Sequence, residues 1–301
     1  MRPIFIGGFG RSGTSVLRRI VGESPDVAVL PHELRILTEP DGVLDLWEAI
    51  RPKAWTPYRA TIAWDRFLAL LQHRWDALTD IRPSAAINES LDHVRSILTG
   101  REVGWTFDHP YRRSATARWV PIAPRYRSVN DYPEIRKRLA KFVEDFFVYG
   151  RRVRAWVEDT PENCLRVSTL RELFPDATFV FAARHPLDVI ASQGSIAPKW
   201  WPNDWNALAE NLREYEIRVL THFDESNPTV HLEKLVDDPE FVTKDLCIRL
   251  DIAWSESMVN VVGDAHVGRW REDLPPSRVK ALWQRLEPTA QALGYCAPED
   301  L

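Results

Sequence analysis

The first residues with the means to do chemistry are Gly8-Phe9-Gly10-Arg11-Ser12-Gly13-Thr14-Ser15, close to the start of the chain. Glycines let successive backbone N–H groups converge on one point, and a helix that starts behind them favours an anion. All fixed positions of the phosphate-loop pattern GxxxxGK[ST] are present except one: Thr14 stands where that pattern has Lys. Without the Lys that reaches the β- and γ-phosphates, the expected ligand lacks a polyphosphate tail and Mg²⁺ is not called for. Arg11 supplies the positive charge. Gly10, Arg11, Ser12, Gly13, Thr14 and Ser15 are therefore the first set of candidate anion-binding residues.

A second set follows the apolar run Thr178-Phe179-Val180-Phe181-Ala182-Ala183. It reads Arg184-His185-Pro186-Leu187-Asp188-Val189-Ile190-Ala191-Ser192. Arg184 falls at the carboxyl end of a strand, where open α/β sheets bind ligands. Pro186 suits a first helical turn, and Asp188 suits its positive end. Ser192 lies two turns beyond Arg184 on a continuous helix, so the two can share an anion. Glu158 and Asp159 are either a carboxylate pair or a helix N-cap before Pro161. Trp270, between Arg269 and Arg271, is either a stacking ring for a nucleobase or a core residue. The Arg/Tyr/Trp cluster at 111–127 suits sugar rings, an anionic acceptor or a protein surface.

These residues need a frame. Pro3–Ile6, Val27–Leu30, Ala155–Glu158, Thr178–Ala183 and Thr229–Leu232 read as short strands. Thr14–Val21, most of Leu44–Leu98, Tyr132–Tyr149, Asn163–Phe174 and the chain from Leu187 onward carry helical spacing, with a Pro-rich break near 51–58. Strands separated by helices predict an α/β fold: a P-loop-type parallel sheet flanked by helices.

Composition narrows the function classes. The chain has 301 residues with 45% hydrophobic and 27% charged, an ordinary globular balance that excludes wholesale disorder. The net charge of −4 provides no global field for nucleic acid or a membrane surface. Of the 39 basic residues only seven are Lys, so fork-shaped anion binders are plentiful. Cys164, Cys247 and Cys296 cannot all pair within one chain and lack metal-ligand spacing. No apolar run is long enough for a membrane span, and Met1–Ile6 running straight into the glycine loop leaves no room for a signal peptide, so none is expected. A cytoplasmic protein is expected, with homo-oligomerisation left open.

The segment Phe5–Ser15, taken with Arg184-x-Pro186-x-Asp188-x-x-x-Ser192, resembles the sulfotransferase superfamily. Arg rather than Lys in the loop is similar to the carbohydrate and tyrosylprotein branches and their bacterial relatives. That resemblance implies 3′-phosphoadenosine 5′-phosphosulfate (PAPS) as donor, with no metal. It implies the first loop on the 5′-phosphosulfate, and Arg184 with Ser192 on the 3′-phosphate. Pro31-His32-Glu33-Leu34-Arg35 is similar to the segment that supplies the base, which implies Glu33 first and His32 second. His231-Leu232-Glu233-Lys234-Leu235 with Asp237-Asp238-Pro239 resembles the family's segment after a late strand. Val267-Gly268-Arg269-Trp270-Arg271 resembles the C-terminal loop that closes over the nucleotide, which implies Gly268, Arg269 and Trp270 as nucleotide-binding residues.

The implied domain is single, with a helical and irregular acceptor-side insertion at about 40–150 and a closing loop and helix from about 260 onward. The implied acceptor is a small molecule or a carbohydrate. A phosphotransferase or a non-catalytic nucleotide binder is the alternative reading of the same loop. One position departs from the resemblance: many relatives carry a leaving-group Lys where Asp159 stands, so charge relief must come from Arg11, another basic residue or main-chain donors.

Overall fold

A strand that is apolar on both sides belongs inside a parallel sheet, because helices then cover both faces. The computed structural model, which describes residues 1–51, 57–98, 131–195, 204–222, 227–263 and 265–298, places five strands in one sheet, β1 and β4 being of this kind. They are β1 (Arg2–Gly7), β2 (Val27–Val29), β3 (Ala155–Glu158), β4 (Thr178–Ala183) and β5 (Thr229–His231). Their order is β2-β3-β1-β4-β5 and every pairing is parallel. The chain leaves β1 toward β2 on one side and later reaches β4 and β5 on the other. The crevice at the carboxyl end of β1 is thus a topological switch point, the usual ligand position in such sheets.

The chain divides into two compact units. The first comprises Met1–Glu33, Arg151–Arg171 and Asp176–Leu301; the second comprises Leu34–Gly150 and Glu172–Pro175. The first unit holds the sheet, and its first helix is α1 (Thr14–Gly22). The second unit is helical: α2 (Val43–Ile50), α3 (Pro57–His73), α4 (Trp75–Thr79), α5 (Ser84–Leu98) and α6 (Tyr132–Val148). Its core is aromatic, with Phe67 packed against Trp64 and Phe142, and Phe142 against Phe146. The buried Arg82 guanidinium there bonds Ser90 at 3.0 Å and pairs with Asp145.

The remaining helices are α7 (Val167–Leu173), α8 (Pro186–Gly194), α9 (Trp205–Leu220), α10 (Leu232–Asp237), α11 (Pro239–Leu250), α12 (Ser257–Val262), α13 (Trp270–Asp273) and α14 (Pro276–Ala292). Among the described residues, no helix is long and apolar enough to cross a membrane. Side chains alternate faces along a strand. Ile4, Ile6, Val180 and Ala182 therefore join Leu17 and Ile20 of α1, Leu246 of α11 and Met258 of α12. Phe181 and Ala183 face the other way, into a cluster with Leu187, Leu212, Trp270, Trp283 and Leu286. The single helix expected over 163–174 is instead a 3-10 turn (Pro161–Leu165) followed by α7. The Asn163 amide explains the tight start: it donates to the Ile6 carbonyl at 3.1 Å and to the Glu158 carboxyl at 2.6 Å.

Glu216 of α9 is buried in the second of those clusters' helix layer and accepts a hydrogen bond from the Thr289 hydroxyl of α14. Burial raises its carboxyl to about 7, against an ordinary value near 4.5. A carboxyl raised on folding adds stability that is fully present below about pH 4.5 and lost as pH rises through about 7. Glu216→Gln removes the charge and keeps an acceptor for Thr289. The variant should match the parent near pH 4.5 and exceed it at pH 8.5 by up to about 3 kcal/mol, or several degrees in Tm. Thermal melts across that range check it, and a pH-independent difference would contradict the assignment.

Candidate active site

The glycine loop leaves β1 over a tightly bonded floor. The Gly8 N–H donates to the Pro161 carbonyl at 3.1 Å. The Tyr215 hydroxyl of α9 lies 2.8 Å from the Gly8 carbonyl, 2.6 Å from the Pro161 carbonyl and 2.8 Å from the Cys164 thiol. A Cβ on Gly8 would stand 2.6 Å from the Ala182 carbonyl oxygen, so only glycine lets the loop lie this close to β4. Burial pushes the Cys164 thiol up to about 12, which keeps it protonated as part of this floor.

Above the floor the backbone turns left-handed twice, at Arg11 (φ 77°) and Gly13 (φ 99°). Such a conformation at a non-glycine residue costs on the order of 1–3 kcal/mol. The Arg11 carbonyl accepts from Nη1 of Arg184 at 3.0 Å, and the Arg11 Nε–H donates to the Ser192 hydroxyl at 3.0 Å. Gln193 adds a bond from its amide to the Gly10 carbonyl at 3.0 Å. Gly13 caps α1 without a side-chain bond, and the first turn of α1 carries no acid. The first N–H groups of a helix have no acceptor within it. This end of α1 is therefore open to an anion, with the exposed Arg11 side chain beside it.

Arg184 and Asp188, one helical turn apart, hold the C-terminal segment to the same place. Nη2 of Arg184 donates to the His266 carbonyl at 2.6 Å. The Asp188 carboxylate accepts from the N–H of Gly268 at 2.7 Å and of Trp270 at 3.0 Å, and lies 3.9 Å from Arg184 Nε. Glu233, just after β5, accepts from the His185 N–H at 2.7 Å and from the Tyr295 hydroxyl at 3.0 Å. Burial lowers the pKa of His185, whose ring stacks near Trp270 and Trp283 at 5.9 and 5.6 Å between centroids.

Acids gather at the carboxyl ends of β2 and β3. Glu158 is buried and takes the Thr160 N–H at 3.1 Å and the Thr160 hydroxyl at 2.5 Å. Burial raises its carboxyl to about 7. Asp159 is 1% exposed and pairs with Nε of Arg18 at 3.2 Å. Burial raises it to about 6, with Arg18 pulling it down and the Glu33 carboxylate pushing it up. Glu33 is half-buried and within electrostatic reach of Asp159, whereas His32 is exposed.

The structure thus brings Gly10, Arg11, Ser12, Gly13, Thr14 and Ser15 together with Arg184, Ser192, Gly268 and Arg269. Two expectations change. Trp270 is 6% exposed and packs in the core, with the Arg271 guanidinium over its ring at 4.4 Å; the core-packing reading replaces stacking on a nucleobase. Asp159 is an ion-pair partner of Arg18, not a helix cap, and the 3-10 turn that starts at Pro161 has no side-chain cap. Arg269 is exposed and pairs with Asp273 at 2.8 Å. The cluster at 111–127 lies outside the described residues. Tyr215, Gln193, Arg18 and Glu233 act at the site with no local signal marking the first three; Glu233 stands in a segment already singled out.

Asp188→Asn keeps the shape but sets an amide with one acceptor against two N–H donors and a buried guanidinium. We expect a loss of about 3 kcal/mol in denaturant unfolding, the range for breaking a buried charged pair. Asp273→Asn, at the exposed pair with Arg269, should change stability by less than about 1 kcal/mol. Equal effects of the two would remove Asp188 from its role as the clasp.

The geometry can be set beside known proteins. Residues 3–256 match the model of the Sulfotransferase family. The sulfotransferase domain from the Synechococcus PCC 7002 olefin synthase superposes over 99% of this chain and 95% of its own, with TM-score 0.56 and 16% identity. The sulfotransferase domain from the curacin biosynthetic pathway superposes over 99% of each chain, with TM-score 0.50 and 13% identity. At such identities the likeness speaks to the fold. Comparison with curated proteins returns no match. The five-stranded parallel α/β sheet agrees with that fold, the family match covers most of the length, and this chain belongs to the sulfotransferase family.

Proposed function

We propose that this chain transfers the sulfuryl group of PAPS to a hydroxyl or amine of a small-molecule or carbohydrate acceptor. The observation that carries the reading is the junction of two distant motifs: Arg11 bonds Ser192 through its side chain and Arg184 through its carbonyl, at the carboxyl edge of the sheet. A doubly anionic adenylate fits residues of this kind. The end of α1 is uncapped and acid-free, and Arg184 Nε is buried without a hydrogen-bond partner among the described residues. When bound, PAPS supplies an activated sulfuryl group on a 5′-phosphate leaving group.

The chain's own residues then have separate tasks. Arg11 and the N–H groups of 12–15 hold the negative charge of the 5′-phosphate, and need no reorganisation to do so. Arg184 and Ser192 hold the 3′-phosphate, with Gly268 and Arg269 beside them. Glu33 accepts the acceptor's proton. Its half-buried place near Asp159 favours it over the exposed His32. Thr14 in place of a loop Lys speaks against nucleoside triphosphate as donor.

Two measurements test this. Adenosine 3′,5′-bisphosphate should raise the melting temperature clearly more than adenosine 5′-monophosphate, and Arg184→Ala should erase the difference. Equal shifts from the two nucleotides would remove Arg184 and Ser192 from the 3′-phosphate. Glu33→Gln should lower transfer of labelled sulfate by at least about a hundredfold while the bisphosphate still binds, and His32→Gln should change it only a few-fold. Turnover with Mg-ATP instead would favour the phosphotransferase alternative.

A further inference from the structure

Arg18 has no part in the anion grip, yet it occupies the seam between two strand ends. It projects from α1 one turn beyond the glycine loop. Its Nε lies 3.2 Å from the Asp159 carboxylate, an ion pair without an aligned hydrogen bond, and its Nη1 donates to the carbonyl of Leu30. Sheet pairing of β2 runs only from Val27 to Val29, against Ala155 to Val157. Pro31 follows, and it has no N–H with which to extend the ladder. The carbonyl of Leu30 lies past the end of the ladder and just before His32 and Glu33, and Arg18 holds it.

The two contacts suit a guanidinium. One rigid plane carries both the charge that pairs with the carboxylate and the Nη1 donor that reaches the carbonyl. An ammonium is a single point on a flexible stem. Asp159 keeps that plane oriented: it is 1% exposed, and its charge is the counterpart of the Arg18 charge at this depth. The Glu33 carboxylate lies within electrostatic reach of Asp159 and pushes its pKa up. The same pair therefore bears on the Glu33 segment by the bond from Arg18 to Leu30 and by the closeness of Asp159 to Glu33.

We infer that Arg18, oriented by Asp159, is a positioning residue that fixes the Leu30–Glu33 segment and with it the carboxylate that takes the acceptor's proton. The inference rests on the reading of Glu33 as the base. It leaves the nucleotide grip untouched, since Arg11, Arg184 and Ser192 are held by other bonds.

Hydrogen exchange on the ligand-free protein tests the structural half. In Arg18→Met the amides of His32 and Glu33 should exchange about tenfold faster, with those of residues 11–15 unchanged. Arg18→Lys should restore protection only in part. Asp159→Asn, a milder change, should act in the same direction as Arg18→Met. Transfer of labelled sulfate from PAPS, to water and to a panel of hydroxyl acceptors, tests the functional half. In Arg18→Met kcat should fall about tenfold, with the donor KM and the bisphosphate melting shift unchanged. Exchange at 32–33 within twofold of the parent overturns the inference, as does a loss of protection that spreads through 8–15 with loss of the bisphosphate shift. Normal transfer by Glu33→Gln defeats the base reading, not the exchange result. An inactive Glu33→Gln beside an Arg18→Met that transfers normally defeats this inference alone.

Discussion

Two oppositely charged side chains, one helical turn apart and both withdrawn from water, hold the site together. Arg184 grips the carbonyls of Arg11 and His266, and Asp188 grips the N–H groups of Gly268 and Trp270. Either charge alone would be costly at that depth, and the pair is tolerable because nearly every contact it makes is a charge-assisted bond. Three segments that lie far apart in the chain converge on it. The glycine loop and the C-terminal segment are each bonded to the start of α8. The aromatic group of Trp270, Trp283 and Tyr295 around His185 then seals the far side of the clasp.

The sheet sets the division of labour around that clasp. On the β4 side of β1 lie the cations and the donors. On the β3 side lie Glu158, Asp159 and, after β2, Glu33. Arg11 and Arg184 are thus one strand away from the acids around Glu33, while Asp188 and Glu233 accompany them on their own side. The intrusion of Arg18 among the acids is the exception. It balances Asp159, so the acid side carries less net charge than its composition suggests.

Much of this was legible in the chain's letters because it is local. The apolar runs at Pro3–Ile6 and Thr178–Ala183, the glycines at 8, 10 and 13 and the Pro186 start of α8 each declare themselves within ten residues. What escaped depends on partners far along the chain. Tyr215 sits in an ordinary helical stripe, and only the fold brings its hydroxyl under Gly8. Trp270 between two arginines reads equally as a ligand platform or as core, and the choice depends on where α14 packs. The departure at Asp159 was visible, but its partner on α1 was not, since nothing local joins residues 18 and 159. The break of the 163–174 helix followed from one amide reaching back to β1.

The left-handed backbone at Arg11 carries a consequence for how such a loop evolves. Glycine would relax that residue at once, yet it would forfeit the side-chain reach to Ser192. Selection for an unstrained backbone and selection for the link to Ser192 therefore pull this position in opposite directions, and a descendant with no need of that link would drift first here, toward the smallest amino acid.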